Sequence, residues 1–369
     1  MGYDLGGSFA LGPWRVRRAG YGAMQLAGDG VFGPPRDRAE ALRVLRTAVE
    51  AGVDHVDTAQ FYGAGTVNEL IREALYPYPD GLAIVSKVAA REPHQLRRGI
   101  EDNLVTLGVS RLAAVNLRMM DPAEPPGGRF DAELAALVKA REEGLIDGVG
   151  LSNISTEQLL RAVDRTEIAC VQNLFNLVDQ GSADVLAECA RRGIAFVPFC
   201  PLGLPGPARS HLLASPVLGA LGARLHATPA QIALAWLLGL APNVLLIPGT
   251  RTRVHLAENL AAPEVTLDAA AVAQLARHFP APDRRNGRGG GNHRPLGKKE
   301  FLYPERPVVL AAGSPRAARR VSRGGSAPGY AARSGRRRPG RCRARPRRCR
   351  RAPARRPHAA SSRRRPGSG

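Results

Sequence analysis

The sequence predicts an α/β protein: a single (β/α)8 TIM barrel with an N-terminal hairpin, followed by a disordered basic tail. Short apolar runs alternate with amphipathic helical patterns, and this alternation indicates parallel strands joined by right-handed crossovers. The apolar runs are continuous, which is typical of strands that are buried on both faces. Eight strand–helix units within about 250 residues point to a closed barrel.

The hairpin is predicted first along the chain. Residues 7–20 read GSFALGPWRVRRAG, with Gly12 and Pro13 between two short runs, and we expect this hairpin to cover the floor of the barrel. The eight strand candidates then follow at residues 19–24, 53–59, 82–88, 112–118, 148–153, 168–173, 194–199 and 243–249.

Helix-start signals lie between these strands. Asp37 and Glu40 resemble a capping box before an apolar face. Ser155 with Gln158 forms another, and Thr228 precedes a proline and then Gln231 at the third helical position. Further helices are predicted over residues 93–107, 131–143, 182–192 and 252–260.

A doubly wound open sheet is the alternative fold. Its dinucleotide fingerprint, G-x-G-x-x-G, should follow the first strand and open a helix. Here glycines stand at positions 20, 22 and 28, and no helix start follows them. The barrel is therefore favoured.

The net charge of +21 is concentrated in the C-terminal part of the chain. Residues 281–369 hold 27 of the 53 Lys and Arg but only 3 of the 32 Asp and Glu, so residues 1–280 are nearly neutral. We therefore divide the chain into a barrel domain, 1–280, and a low-complexity tail, 281–369, rich in Arg, Pro, Gly and Ala.

Three interpretations of the tail stay open: a disordered basic extension, a nucleic-acid-binding arm, and an out-of-frame translation of GC-rich DNA. Tyr330 is the one aromatic residue beyond Tyr303, whereas single-stranded nucleic-acid sites rely on aromatic stacking. Any contact with nucleic acid is thus expected to be non-specific and to depend on charge.

Composition also bounds the location. The five cysteines show neither metal-site spacing nor the density of a disulfide framework, so we expect reduced thiols and no metal. The N-terminal residues show no signal peptide, and no apolar run has the length of a membrane span. We expect a cytoplasmic monomer without a membrane partner.

Polar side chains recur at the C-terminal ends of the predicted strands, where barrels carry their chemistry. Each alone has an ordinary explanation, such as a loop lysine, a helix cap or a rim amide. Polar side chains at six strand ends together indicate a functional site instead. The residues are Asp57 and Tyr62, Lys87, Asn116 and Arg118, Ser152 and Asn153, Gln172 and Asn173, and Phe199 and Cys200.

Six blocks resemble the aldo-keto reductase superfamily over about residues 9–280. They are VDTAQFYG, SKV, GVGLSN, VQNLFN, PFCPLG, and LLIPGT with HLAEN. The resemblance implies a (β/α)8 barrel that binds NADPH without a Rossmann domain and reduces aldehyde or ketone carbonyls to alcohols. NADH is the less favoured cofactor, and the substrate is a small carbonyl compound.

The chemistry requires a proton donor, because hydride delivery to a carbonyl carbon leaves charge on its oxygen. Tyr62 is the candidate general acid, although a free tyrosine has a pKa of about 10. The ammonium of Lys87 is expected to lower that pKa, and Asp57 to orient Lys87. Ordinary alternatives are an aromatic rim residue for Tyr62 and a turn cap for Asp57.

The resemblance also implies a cofactor-binding set. Ser152, Asn153 and Gln172 match positions that bind the nicotinamide carboxamide, and Phe199 matches the ring that stacks on nicotinamide. The remaining implied contacts are Cys200, Leu202, Gly249, Thr250, Arg251, His255, Glu258 and Asn259.

The adenosine end departs from the family pattern. Many members carry a lysine, which contacts the 2′-phosphate, where this chain has Gly249. Arg251 or Arg253 is expected to replace it, because a guanidinium suits a phosphate dianion. The alternative for each arginine is an exposed loop charge. The N-terminus of the 252–260 helix adds a favourable dipole.

Arg118 stands where most members present a histidine that polarises the substrate carbonyl. It is interpreted as a second donor to the carbonyl oxygen; an arginine paired with a rim carboxylate is the alternative, and Asn116 would then be the donor. Two further hypotheses for function are a cofactor-binding barrel with weak turnover that acts as a redox-sensing module, and a barrel tethered to nucleic acid by its tail.

Overall fold

The computed structural model of the protein describes residues 3–89 and 92–282. The predictions for the tail beyond residue 282 lie outside these residues. Within them the chain follows the predicted order, beginning with a hairpin and continuing as alternating strands and helices.

The hairpin consists of β1 (Ser8–Leu11) and β2 (Trp14–Arg17), which pair antiparallel. Leu11 and Val16 are buried and pack against small inward-facing side chains at the start of the barrel strands, among them Ala83, Ala114 and Ala195. The hairpin thus closes the floor of the barrel, as predicted.

Seven strands form one parallel sheet in chain order. They are β3 (Tyr21–Gly22), β4 (His55–Asp57), β5 (Ala83–Val88), β6 (Ala114–Arg118), β7 (Val149–Ser152), β8 (Cys170–Leu174) and β9 (Ala195–Phe199).

The eighth strand position is held by a short segment. Val244 bridges Phe196 and Leu246 bridges Ala19, both in parallel, and the amide of Gly20 donates to the carbonyl of Leu246 over 2.9 Å. The segment therefore joins β9 to the first strand and closes the barrel. It is shorter than the predicted 243–249, because Pro248 has no N–H to extend the ladder.

Eleven α-helices occur within the described residues. They are α1 (Arg38–Glu50), α2 (Thr66–Leu75), α3 (Pro93–Leu107), α4 (Gly128–Glu142), α5 (Thr156–Val163), α6 (Ala183–Arg192), α7 (Pro207–Leu213), α8 (Pro216–Leu225), α9 (Pro229–Leu240), α10 (Arg253–Leu260) and α11 (Ala269–His278).

Two of the three predicted capping boxes are complete, at the starts of α5 and α9. The box at α1 is only half formed. The Asp37 side chain accepts from the Glu40 amide over 2.8 Å, but the Glu40 carboxylate accepts from Arg43 and Arg253 instead of returning to the cap. Two arginines outcompete one backbone amide for this carboxylate.

The barrel interior is layered by the alternation of side chains along each strand. Small and apolar residues lie above the hairpin. Towards the strand ends, polar residues follow at Lys87 on β5, Asn116 on β6 and Gln172 on β8. Gly20 leaves room for this layering, since a Cβ there would lie 2.2 Å from the ring of His55. The polar layer is the candidate site.

Candidate active site

A buried ion pair joins the ends of β4 and β5. The Lys87 ammonium donates to Asp57 Oδ1 over 2.5 Å and to the Thr58 carbonyl over 2.9 Å. Burial alone would lower the pKa of Lys87, but Asp57 and Tyr62 outweigh it, so that pKa is raised. Lys87 is therefore a permanent cation held by a carboxylate, as predicted for its orientation.

Tyr62 follows β4 on a single 3-10 turn, Tyr62–Gly65. The Lys87 ammonium lies 5.0 Å from the centroid of its ring, and the ring is buried. Burial raises the pKa of the phenol; Lys87 and Arg118 act to lower it, and Asp57 to raise it. The net direction is upward, opposite to the shift predicted, because the sequence shows the ammonium but not the desolvation.

The turn that carries Tyr62 depends on glycine. Gly63 has a φ of +60°, and a Cβ there would lie 2.7 Å from the carbonyl oxygen of Gly33. The turn thus fits beneath the loop that follows β3 only because position 63 has no side chain. This packing fixes the direction in which the phenol enters the barrel mouth.

A buried hydrogen-bond network supports the ion pair from behind. Thr58 Oγ1 donates to Asn68 Oδ1 over 2.8 Å, and Asn68 donates to Asn103 Oδ1 over 3.0 Å. Ser86 Oγ donates to the same Asn103 oxygen over 2.7 Å. These residues, which the sequence analysis missed, tie β4 and β5 to α2 and α3. Asparagine on the apolar faces of two helices is the signal that points to them.

Gln172 completes the polar layer from β8. Its Nε2 donates to Asp57 Oδ2 over 2.5 Å, so Asp57 is held on both oxygens. Its Oε1 is buried and has no hydrogen-bond partner among the described residues. An unpaired buried acceptor is costly, and it suits a ligand that brings a donor, such as a carboxamide.

Arg118 lies at the end of β6 and is half-buried. Its Nη1 donates to Ser152 Oγ over 3.2 Å, and its guanidinium carbon lies 5.1 Å from the centroid of the Phe199 ring. Within residues 3–89 and 92–282, no carboxylate oxygen lies within 4 Å of this guanidinium. Among these residues Arg118 therefore has no rim ion pair, and its role as a second donor stays a prediction. Asn116 is buried two residues earlier and bonds to Cys170 and the Ser86 carbonyl.

The loop after β7 is held by two asparagines. Asn153 has a φ of +57°, and its side chain donates to the Met119 carbonyl over 2.9 Å. Asn173 accepts from the Ile154 amide and donates to the Ile154 carbonyl. The Asn153 amide nitrogen is thus engaged by the protein, which leaves its oxygen as the group available to a carboxamide.

Three predicted cofactor contacts lie at the end of β9 and just after it. Phe199 is half-buried beside Arg118. Cys200 has a φ of +52°, its carbonyl accepts from Asn176, and burial raises the pKa of its thiol to about 11, so it stays protonated near neutrality. Leu202 is buried in the hydrophobic core, which leaves its backbone for contact with a ligand.

The glycine that replaces the family lysine has a packing reason. A Cβ on Gly249 would lie 2.5 Å from the carbonyl oxygen of Gly22 on β3. The barrel closes too tightly here for any side chain. Thr250 beside it is buried and tied to the fold, because its carbonyl accepts from the Tyr21 hydroxyl over 2.6 Å.

The predicted phosphate-binding arginines differ in their partners. Arg253 donates from Nε to Glu40 over 3.2 Å, whereas the closest carboxylate oxygen to Arg251, on Asp29, lies 3.8 Å away. Arg251 is therefore the freer cation. Arg251 precedes α10 and Arg253 is its first residue. Thr252 caps the helix by accepting from the His255 amide.

The last turn of α10 carries Glu258 and Asn259, the pair that the family resemblance predicts on the adenine side. Asn259 is buried, and its Nδ2 has no hydrogen-bond partner among the described residues. The carbonyl of the neighbouring Glu258 accepts from Gln231. An unpaired buried donor at this end and the unpaired Gln172 acceptor at the other are both suited to the polar ends of one long ligand.

Arg209 on α7 was missed by the sequence analysis. Burial is the main cause that lowers its pKa; the nearby Arg251 also lowers it, and Cys200 raises it. The Arg209 guanidinium has no hydrogen-bond or ion-pair partner within the described ranges. Arg209, with no carboxylate partner among the described residues, lies near Arg251, whose carboxylate partner Asp29 is 3.8 Å away. Two such weakly compensated cations form a setting for phosphate groups. No sequence pattern distinguishes such an arginine from a surface one.

Two cavities lie away from this site. One cavity is lined by Glu69, Arg72 and Val105 on the outer helices, and another by Pro13 and Arg141 on the barrel floor. Within residues 3–89 and 92–282, no group of three His, Cys, Asp or Glu side chains is arranged to hold a metal, and no helix is long and apolar enough to cross a membrane.

The chain is similar to known proteins over most of its length. Residues 18–279 match the Aldo/keto reductase family. The chain is 46% identical over 281 residues to pyridoxine 4-dehydrogenase of Escherichia coli, covering 73% of this chain and 96% of that protein. It is 35% identical over 292 residues to the uncharacterized oxidoreductase C215.11c of Schizosaccharomyces pombe, covering 76% and 92%. A solved aldo/keto reductase of Klebsiella pneumoniae in complex with NADP and acetate is 28% identical, with a TM-score of 0.65, covering 75% and 96%.

Proposed function

The chain belongs to the aldo/keto reductase family and is an oxidoreductase, and on that premise we propose that it reduces aldehydes to alcohols with NADPH. The observation that carries the proposal is the buried set of Asp57, Lys87 and Tyr62 at the ends of two adjacent strands. The same set argues against a binding module with weak turnover, since a module that only senses cofactor needs no proton donor.

NADPH is the proposed cofactor because the polar groups of the site fit its parts. Gln172 and Asn259 offer an unpaired acceptor and an unpaired donor at the two ends, and Arg209 and Arg251 supply cations. Ser152, Asn153 and Phe199 complete the nicotinamide end. When bound, the reduced nicotinamide supplies hydride to the carbonyl carbon, so the aldehyde takes up one hydride and one proton.

Tyr62 donates that proton in our proposal. Its raised pKa keeps the phenol protonated at neutral pH, which is the form that an acid needs for reduction. Lys87 stays charged and favours the phenolate left after transfer. Asp57 holds Lys87 in place and Gln172 holds Asp57, so the proton donor is positioned by a series of direct hydrogen bonds behind it.

The substrate class follows from the relative of highest identity named above. We propose that the chain acts on the 4-aldehyde of a pyridoxine-type ring, by analogy with pyridoxine 4-dehydrogenase of Escherichia coli. Arg118 is the proposed second donor to the carbonyl oxygen, since its guanidinium stands at the site and no carboxylate in the described part of the chain pairs with it. The cytoplasmic location and the monomeric state stay predictions.

Tyr62→Phe tests the proposed function. We expect carbonyl reduction, followed by NADPH absorbance, to fall by about 10²–10⁴-fold, because only the proton donor is lost. NADPH binding, followed by its fluorescence, should be retained. The control is Tyr78→Phe in the loop between α2 and β5, whose hydroxyl donates to the Leu107 carbonyl of α3. Turnover close to wild type in Tyr62→Phe would refute the assignment.

A further inference from the structure

The cations at the mouth of the barrel are unequally balanced. Lys87 is neutralised by Asp57 at 2.5 Å. Arg118 is half-buried between Ser152 and Phe199, and its only hydrogen bond within the described residues goes to a neutral hydroxyl. Arg118 also lies near enough to Tyr62 to lower the pKa of the phenol. At the reacting end of the site, Arg118 is therefore a positive charge that no carboxylate among the described residues compensates.

A permanent half-buried cation without an anionic partner lowers stability unless a ligand brings an anion. A guanidinium presents several N–H groups in one plane, and it binds best to two oxygens that lie side by side. One of its donors is already directed to Ser152, and others remain. The histidine that most family members have at this position would offer a single donor.

The position of Arg118 restricts the kind of anion. If its fork contacts the carbonyl oxygen that Tyr62 protonates, a second oxygen on the adjacent ring carbon lies on the same side and in the same plane. An ionised hydroxyl there takes one donor and leaves another for the carbonyl. A carboxylate on that ring carbon would occupy both of the N–H groups that face the substrate and would displace the carbonyl oxygen from Arg118.

We propose that Arg118 selects aromatic aldehydes that carry an ionised hydroxyl on the ring carbon next to the aldehyde-bearing carbon, as in a 3-hydroxypyridine-4-carbaldehyde. This inference rests on the proposed function. Arg118 binds the hydroxyl oxygen and the carbonyl oxygen together, while hydride reaches the carbonyl carbon from NADPH and the proton reaches its oxygen from Tyr62. The products are the ring alcohol and NADP⁺.

The test compares kcat/KM for three aldehydes: 3-hydroxypyridine-4-carbaldehyde, its 3-methoxy analogue and pyridine-4-carbaldehyde. The wild-type protein should prefer the hydroxy aldehyde over both others. In Arg118→Met, which keeps bulk but removes charge, the ratio of hydroxy to unsubstituted aldehyde should fall by about 10- to 100-fold, the value of a hydrogen bond to a charged group. Arg118→Lys should retain part of the ratio. Arg15→Met, an exposed arginine on the hairpin, is the matched control.

Outcomes separate this inference from the proposed function. If wild type reduces pyridine-4-carbaldehyde but shows no preference for the hydroxy aldehyde, the function stands and the inference is wrong. If Arg118→Met loses activity equally on both aldehydes, Arg118 acts on the carbonyl alone, and the inference is again overturned. If wild type reduces none of the three, both fall.

A second measurement needs no variant. The phenol of 2-hydroxybenzaldehyde ionises within the pH range in which the protein can be assayed, and benzaldehyde has no such group. For the wild-type protein, kcat/KM on 2-hydroxybenzaldehyde should rise with pH as its phenol ionises, while kcat/KM on benzaldehyde stays level. Parallel pH profiles for the two aldehydes would contradict the proposed contact.

Discussion

Asp57→Asn isolates the charge of the buried ion pair, because asparagine keeps the shape of aspartate. The Oδ1 of the new asparagine can still accept from Lys87. Its Nδ2, however, would face Gln172 Nε2, so two donors would meet where Asp57 Oδ2 accepts in the wild-type protein. A half-turn of the Gln172 amide resolves that clash by presenting Oε1, which otherwise has no partner among the described residues. Packing and hydrogen bonds are then preserved, and only the negative charge is lost.

The magnitude follows from the burial of both partners, which are 3% and 4% exposed. Removing one member of a buried pair costs about 3–5 kcal/mol of unfolding free energy. Lys87 can avoid an unpaired buried charge by losing its proton. Deprotonation costs about 1.36 kcal/mol for each unit by which the pH lies below the unfolded pKa of about 10.4, and this cost is the upper limit of the penalty. The limit is about 4.6 kcal/mol at pH 7 and about 1.9 kcal/mol at pH 9.

The pH dependence has a definite sign. In the wild-type protein the pKa of Lys87 is raised. The contribution of Lys87 to the unfolding free energy is therefore complete below its pKa in the unfolded chain and is lost only as pH rises through its pKa in the folded protein. In Asp57→Asn the folded pKa falls below the unfolded pKa. The penalty is therefore largest at low pH and shrinks as pH rises towards the unfolded value.

Urea unfolding at pH 7 and pH 9 measures this penalty directly. Asp80→Asn is the matched control, since Asp80 is exposed and should change the unfolding free energy by less than about 0.5 kcal/mol. NADPH oxidation in the presence of an aldehyde should also fall, because Lys87 is no longer held as a charged partner for Tyr62. Equal stability of Asp57→Asn and wild type at pH 7, or a penalty that does not shrink at pH 9, would refute the reasoning.

Three further predictions follow from the same structure. Because burial raises the pKa of Tyr62 and a guanidinium does not titrate near neutrality, kcat for reduction should be level from about pH 6 to pH 9; a step near pH 6.5 would contradict this. Gly249→Ala, whose Cβ would lie 2.5 Å from the Gly22 oxygen, should lower the unfolding free energy by about 1–3 kcal/mol. Gly219→Ala, with no neighbouring atom within 4 Å, should be neutral or stabilising by up to about 1 kcal/mol in urea unfolding. A chain ending at residue 283 keeps every described contact and should retain its melting temperature and reductase activity; aggregation or loss of NADPH binding would show that the tail is needed.

The strands and the polar layer could be predicted because both depend on local patterns. A strand buried on two faces has to be apolar along its whole length, so each run was recognisable without knowledge of its neighbours. The side-chain alternation then places Asp57, Lys87, Arg118 and Gln172 at the same end of one barrel. The resemblance to a known family added the roles of these residues, which the pattern alone leaves open.

The features that could not be predicted arise from contacts between distant segments. The pKa direction of Tyr62 depends on how completely the surrounding loops bury it. The support from Asn68 and Asn103 requires two helices to pack behind β4 and β5. Arg209 is significant only because nothing described neutralises it, and the partners of a side chain are not written in its own segment of sequence.

The adenosine end shows how one backbone contact redistributes charge. The first and eighth barrel strands approach so closely that a Cβ on Gly22 would lie 2.4 Å from the Ile247 oxygen and one on Gly249 would lie 2.5 Å from the Gly22 oxygen. No cationic side chain can start from position 249 without a clash, so in our proposal the positive charge for a phosphate comes from Arg251 and Arg209 on separate segments. In that proposal the close approach of the two strands moves phosphate binding from a strand residue to a loop and to α7, where the length of an arginine side chain compensates for distance.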